Sequence, residues 1–269
     1  MRISLLKSGN NAGVPTPKKG EAIVALTKDV LTWPTVDADG VTLLGNFVFK
    51  PDTSFFKIYM TPSTQEASFD SSGNPDGMGT INKFVGEHPG TTKEAISFFK
   101  NYRNEDFVVI YGGCGSSEYK VMGSDCYPMK LSVSGKDGKD GNVNTLTWEQ
   151  DMINNDLIKF YSGSLDFAEP LSVAGSTVTL SSANGHVYQT ASAAVTADIV
   201  FVNTDLQDGE IVTIIGGGGV GPYKVVNDAD ATVGVLTKNG ANWIGLTGAV
   251  INLKVVVADK TYLVEVSRK

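Results

Sequence analysis

A mainly β chain in two parts, carrying a single helix, is what the sequence predicts. Gly is abundant, at 30 of 269 residues, and Thr, Ser and Val are frequent, a balance that favours strands and turns. Short apolar or alternating runs recur between clusters of Gly, Asn, Pro and Asp. One segment alone combines helical spacing with a cap signal.

Taken in order, Phe47-Val48-Phe49 follows a Gly-Asn step, and Phe55 to Met60 follows a turn at Lys50-Pro51-Asp52. Thr80 to Val85 follows a polar loop, Gly73 to Gly79. Phe107 to Tyr111 is a continuous apolar run between Asp106 and Gly112, as expected of a buried strand. Met129, Leu131 and Val133 alternate on one face of a strand, and Leu146 and Trp148 on the next. Between them Gly135 to Gly141, the segment GKDGKDG, predicts a hairpin with a long, mobile tip. Thr91-Thr92-Lys93-Glu94 has capping-box form, with Thr91 as N-cap. Ala95, Ile96, Phe99 and Tyr102 then form a stripe with Phe98 beside it, and Lys100 and Arg103 fall in the last turn. These residues predict a helix over about 91–103, packed by its aromatics onto a sheet.

After Tyr161-Ser162-Gly163 the helical pattern disappears. Runs at 176–180, 199–203, 211–215, 223–226, 233–237, 250–257 and 261–266 predict an all-β sandwich, Ig-like or jelly-roll-like. The length suits two domains, at 1–165 and 166–269.

Composition excludes several classes. Two cysteines, Cys114 and Cys126, cannot make a disulfide-stapled scaffold, and two histidines, His88 and His186, leave little for a Cys/His metal cluster. The net charge of −7, with no basic run beyond Lys18-Lys19, disfavours a tight grip on nucleic acid. Neither half is basic: residues 166–269 hold 6 Lys and Arg against 10 Asp and Glu. No stretch of about 18 apolar residues occurs, and the N-terminus lacks the apolar core of a signal peptide. The expectation is a chain made and kept in a cytoplasm, with no membrane contact.

Candidate chemistry is sparse. Gly216 to Gly221 matches G-x-G-x-x-G after an apolar run, but Pro222 and a strand-like segment follow where a dinucleotide site needs a helix. A glycine-rich connection between two strands is the better account. Cys114 and Cys126 leave a cross-strand disulfide open, with free, partly buried thiols expected in a reducing compartment. Asp37 and Asp39, and Asp228 and Asp230, read as solvated turns, because a calcium loop needs further oxygen ligands. Trp243, flanked by Lys238, Asn239 and Asn242, is a candidate aromatic platform for a sugar ring. No nucleophile, acid–base pair, cofactor motif or metal set emerges, so the expectation is a protein that is not an enzyme.

Taken together, residues 41–163 resemble a bacteriophage tail tube (major tail) protein of the kind found in Bacteroidetes-type hosts. The resemblance rests on an ordered series. Lys57-Ile58-Tyr59-Met60 leads through Ser68-Phe69-Asp70 to Gly77-Met78-Gly79, and Glu87-His88-Pro89-Gly90-Thr91-Thr92-Lys93-Glu94-Ala95 opens the helix. Asp106 to Tyr111 runs into Tyr119-Lys120-Val121-Met122-Gly123, followed by Tyr127-Pro128-Met129-Lys130 and the glycine-rich tip. Asn144-Thr145-Leu146-Thr147-Trp148-Glu149 and Lys159-Phe160-Tyr161-Ser162-Gly163 close it. The resemblance implies a β-sandwich or barrel with one flanking helix and homo-hexameric rings stacked into a tube that conducts the genome. Its implied partners are further copies of itself, the tape measure, tail terminator and distal tail proteins, and DNA passing without specific binding. Its implied location is the virion tail, assembled in the host bacterial cytoplasm. Candidate ring-stacking residues are Asp70, Asn74 and Asp76 in the polar loop, and Lys136, Asp137, Lys139 and Asp140 at the tip. The ending Val235-Leu236-Thr237-Lys238-Asn239-Gly240-Ala241-Asn242-Trp243-Ile244 is similar to C-terminal β modules of other phage virion proteins, such as fibres and decoration proteins. That similarity implies an alternative: a virion-surface or distal-tail protein whose projecting C-terminal domain binds host glycan or capsid.

Overall fold

The computed structural model describes residues 7, 9, 13–50, 53–116, 118–139, 141–167 and 170–269. Pro51 and Asp52 of the predicted turn, Asp140 of the predicted tip and nearly all of the N-terminal segment lie outside the described residues. The fold is mainly β, with 47% of residues in strands and one α-helix. The strands within residues 21–161 are Glu21–Leu26 (β1), Val30–Thr32 (β2), Thr35–Val36 (β3), Thr42–Leu44 (β4), Val48–Phe49 (β5), Phe56–Tyr59 (β6), Glu66–Ser72 (β7), Gly79–Pro89 (β8), Asp106–Gly112 (β9), Tyr119–Met122 (β10), Met129–Gly138 (β11), Gly141–Glu149 (β12) and Lys159–Tyr161 (β13). Helix α1 spans Lys93–Tyr102. Then come Leu171–Val173 (β14), Thr177–Leu180 (β15), Val187–Thr190 (β16), Val200–Asn203 (β17), Ile211–Ile215 (β18), Lys224–Val225 (β19), Gly234–Leu236 (β20), Trp243–Ile244 (β21), Val250–Val257 (β22) and Thr261–Arg268 (β23).

β1 and β9 are apolar on both faces, and both faces are buried. Val24, Val109 and Phe107 enter one core with Phe84, Leu131, Leu146 and Trp148. Ile23, Val108 and Ile110 enter a second core with Phe47, Phe49, Phe55 and Tyr161. A period-2 backbone with consecutive apolar residues, as at Ala22 to Leu26 and Phe107 to Tyr111, can only be satisfied by layers on both sides.

The sheet forks at β9. β1 takes one edge of β9, at Phe107 to Ile110, and β6 pairs with the far side of β1. β10 takes the other edge at Val109 to Gly112, while β11 reaches that edge only at Asp106 and Phe107. One branch runs on through β13, β4 and β3, and the other through β12, β8 and β7. The second branch curves back towards β6, where the Thr61 backbone N–H donates to the Glu87 carbonyl at 2.9 Å. Gly86 permits this curvature, since a Cβ there would lie 2.4 Å from Met60 Cε.

Helix α1 covers the open end of the first core with Phe98, Phe99 and Tyr102. Its N-cap is Thr92, whose hydroxyl accepts from the Ala95 N–H at 3.2 Å; the predicted cap, Thr91, instead donates its hydroxyl to Asn142 Oδ1. Ile96, placed in the buried stripe by its spacing, is 49% exposed, because Phe98 rather than Ile96 turns towards the sheet. The β11–β12 hairpin also differs from expectation. Its ladder continues to Gly138 opposite Gly141, so the predicted long tip is mostly strand.

Residues 171–268 form a separate six-stranded sheet, β14-β16-β18-β22-β23-β20, with the small pairs β15–β17 and β19–β21 packed over one core. Among the described residues, no strand pairing joins 21–161 to 171–268. Pairing is mixed: β14–β16, β16–β18, β15–β17 and β20–β23 are parallel, and β18–β22 and β22–β23 antiparallel.

The run Gly216 to Gly221 connects β18 to β19 without a helix, as the sequence suggested. Its chain threads between two other backbones: Gly218 N–H donates to the Gly245 carbonyl, and Ala193 N–H to the Gly218 carbonyl, each at 3.0 Å. A Cβ at Gly217 would lie 2.1 Å from the Thr190 carbonyl oxygen. Side chains are excluded there by neighbouring main chain, which cannot give way. Gly219 adds a φ of +102° and a Cβ position 2.1 Å from the Ala193 oxygen. Gly219→Ala is therefore expected to cost on the order of 3 kcal/mol, and Gly248→Ala, at positive φ but in open space, only about 1 kcal/mol. Thermal unfolding of the two variants side by side checks the difference.

Candidate functional site

The branch β11-β12-β8-β7 is a four-stranded antiparallel ribbon. Register places Leu131, Trp148, Phe84 and Ala67 in one row on the core face. The adjacent row on the outer face is Lys130, Glu149, Lys83 and Ser68, and Ser132, Thr147, Val85 and Glu66 come next. This outer face is built largely of Ser, Thr and charged residues. Glu66, Asp70, Glu87 and Glu149 outnumber Lys83, Lys130 and Lys136, and Lys83 pairs with Glu149 at 3.1 Å.

Among the described residues, both borders of the ribbon are unpaired over seven residues. β7 pairs with β8 on one side only, and β11 pairs with β12 alone beyond Leu131, over Ser132 to Gly138. Unpaired N–H and C=O groups along such edges are templates for another strand.

The predicted stacking residues divide between the two ends of this ribbon. Asn74 and Asp76 lie in the β7–β8 turn, where Asn74 Oδ1 accepts from the Asp76 N–H at 3.2 Å. Asp70 is not in that loop; it pairs with Ile81 within β7. Lys136 and Asp137 lie on β11 and Lys139 in the turn at the opposite end, and Asp140 is outside the described residues.

The predicted sugar platform is not brought together. Trp243 is 4% exposed and sits in the core of the second sheet with Val225 and Leu253, so it offers no open aromatic face. An apolar ring entering a strand next to polar turn residues is buried because the core needs it. Lys238, Asn239 and Asn242 are exposed around it, with Asn239 at φ 57°. Cys114 and Cys126 are free and both exposed, rather than partly buried, because each lies in a turn outside the strands. His88 holds Tyr59 O at 2.9 Å through Nδ1. Among the described residues, no group of three His, Cys, Asp or Glu side chains could hold a metal ion. No helix among them is long and apolar enough to cross a membrane.

Sequence reasoning missed the junction between the two sheets, which centres on Asn46. Its side chain donates to the Ile211 carbonyl at 2.9 Å and accepts from the Ser164 N–H at 2.6 Å, and its backbone N–H donates to Asn252 Oδ1 at 3.3 Å. Asn252 Oδ1 also accepts from the Thr213 hydroxyl, and Asn252 Nδ2 donates to Ser267 Oγ. Gly45, at φ +99°, leaves the room that Asn252 fills. Val48, Val187, Ile215 and Val250 form an apolar patch beside this network. Tyr161 donates its hydroxyl to the Ser164 carbonyl at 2.9 Å, and burial pushes its pKa up. No short motif marks such a hub, because its members are up to 206 residues apart.

No protein-family model, curated protein or solved structure matches this chain. Asn46→Ala removes side-chain partners from two backbone groups at once, the Ser164 N–H and the Ile211 carbonyl. Loss of about 3 kcal/mol is expected, at roughly 1–3 kcal/mol for each buried group left unpaired. Thermal or denaturant unfolding checks the value, and Asn46→Asp should recover only the bond from the Ser164 N–H, because a carboxylate cannot donate to the Ile211 carbonyl.

Proposed function

We propose that this chain is a structural protein that assembles with copies of itself into rings stacked as a phage tail tube, a conduit for the genome. The observation that carries the reading is the ribbon β11-β12-β8-β7, whose two edges, of equal length, have no partner strand among the described residues. Four strands alternate in direction, so β7 of one copy meets the outer half of β11 in the next with antiparallel polarity. The same contact then repeats around a rotation axis, a heterologous interface that closes into a ring. Closure removes the edges that would otherwise aggregate.

The other ribbon features support the same reading. Its outer face would line the ring, and a surface of Ser, Thr and slightly more acid than base repels phosphate without gripping it. The second sheet attaches through Asn46 and Val48, beside the core on the far side of β1 and β9 from the ribbon, which would leave it outside the ring. Turn residues Asn74 and Asp76 at one end and Lys136, Asp137 and Lys139 at the other would meet between stacked rings. Six copies per ring, and the tape measure, terminator and distal tail partners, rest on the family resemblance alone. A glycan-binding role for the C-terminal part loses its aromatic platform with Trp243 buried.

Electron microscopy of the purified protein over a concentration series is the test, with Phe69→Lys as the paired variant. Phe69 is 52% exposed on β7, and an added lysine on a free edge opposes strand addition. The native chain should form rings or tubes with a central hole. The variant should keep its thermal midpoint within a few degrees and fail to assemble. Assembly of the variant equal to that of the native chain would overturn the edge-pairing account.

A further inference from the structure

The segment joining the two sheets carries a cluster that the assembly reading does not use. Asp166 lies between β13 and β14, in the connection itself. One of its oxygens accepts from the His186 backbone N–H at 2.7 Å, and the other is 2.8 Å from His186 Nδ1. On the other side of the ring, Nε2 is 3.4 Å from Glu210 Oε1, beyond a good hydrogen bond but within reach of charge attraction. Glu210 immediately precedes Ile211, whose carbonyl accepts from both Asn46 Nδ2 and Ser164 Oγ. One imidazole thus stands between the connection and the second sheet, beside the hub that joins that sheet to the first.

We propose that the Asp166–His186–Glu210 cluster is a pH-sensitive clasp that fixes the connection at 164–167 to the second sheet when His186 is protonated. Among the described residues, no Lys or Arg forms an ion pair with Asp166 or Glu210, so the imidazolium is the cation that the structure offers them. Glu210 Oε2 is held by the Gln207 N–H at 2.6 Å, which keeps its other oxygen turned towards the ring. The buried phenols of Tyr161 and Tyr188 also feel the Asp166 charge, but both are neutral across the physiological range. With His186 neutral, Asp166 retains one ring hydrogen bond, and Glu210 loses its counter-charge.

The sign of the effect follows from the environment. Burial pulls the His186 pKa down, but the hydrogen bond and charge of Asp166, together with Glu210, outweigh it and raise the pKa above its ordinary value. A raised folded-state pKa means that the stabilisation is fully present below about 6.5, the unfolded value, and is lost as pH rises through the folded value.

Two readouts on the full chain test the clasp. NMR titration of the His186 ring should place its midpoint above 6.5. Amide exchange at Ser164 and His186, corrected for the intrinsic pH dependence, should show protection falling several-fold as pH rises through that midpoint. His186→Gln should hold protection constant across the same range, and Glu210→Gln should lower the midpoint while leaving the Asp166 contact intact. A His186 midpoint at or below 6.5, or native protection independent of pH, would overturn the proposal. Both readouts are independent of ring assembly.

Discussion

Everything in the first part of this protein hangs on β9. Its residues Phe107 to Tyr111 are apolar on both faces, so two layers must cover it, and its outer edge is divided between β10 and β11. Because β10 occupies Val109 to Gly112, β11 can pair with β9 only at its first residues and must then leave it. The departure of β11 creates the ribbon, gives its core face to Phe84 and Trp148, and leaves its outer half unpaired. A free edge of this kind follows from competition for hydrogen-bonding partners, and the chain offers β7 as an edge of matching length on the other border.

The second part of the chain is fastened by a different logic. Apolar contact between the sheets includes a patch of Val48 with Val187, Ile215 and Val250. Orientation there comes from the Asn46 network, in which each side-chain amide atom of Asn46 and of Asn252 has a partner. A buried polar network that is fully satisfied specifies one arrangement, because any shift leaves groups unpaired in a dry setting. The nearby His186 cluster adds a charged contact at the edge of the same junction, where the connecting segment crosses.

Much of the fold was legible in sequence where burial imposes a pattern. Phe107 to Tyr111, the alternation around Leu131 and Trp148, and the single capped helix each follow from the need to hide a stripe or a face. The run of strands in the second half was equally visible, from Val250–Val257 to the short Lys224–Val225. What escaped was pairing. Glu21–Leu26, the strand beside β9, begins a run of Ala, Ile, Val and Leu without a turn signal, and its composition suits helix as well as strand. Parallel pairs such as β14–β16 leave no local mark, since register is set by contacts distant in sequence. The candidate edges were likewise half visible: the hairpin and the polar loop stood out, but that two borders of one ribbon lack partners among the described residues is a property of topology. Asn46 and His186 are ordinary polar residues until Asn252 and Asp166 are brought to them.

The central claim is that the two borders of the ribbon find each other between copies. Hydrogen exchange compared between assembled and unassembled protein measures this strand by strand. The account predicts new protection confined to amides of Glu66 to Ser72 and of Ser132 to Gly138, with the interior strand β12 protected alike in both states. Assemblies in which both edges exchange as freely as in the separate chain would contradict it.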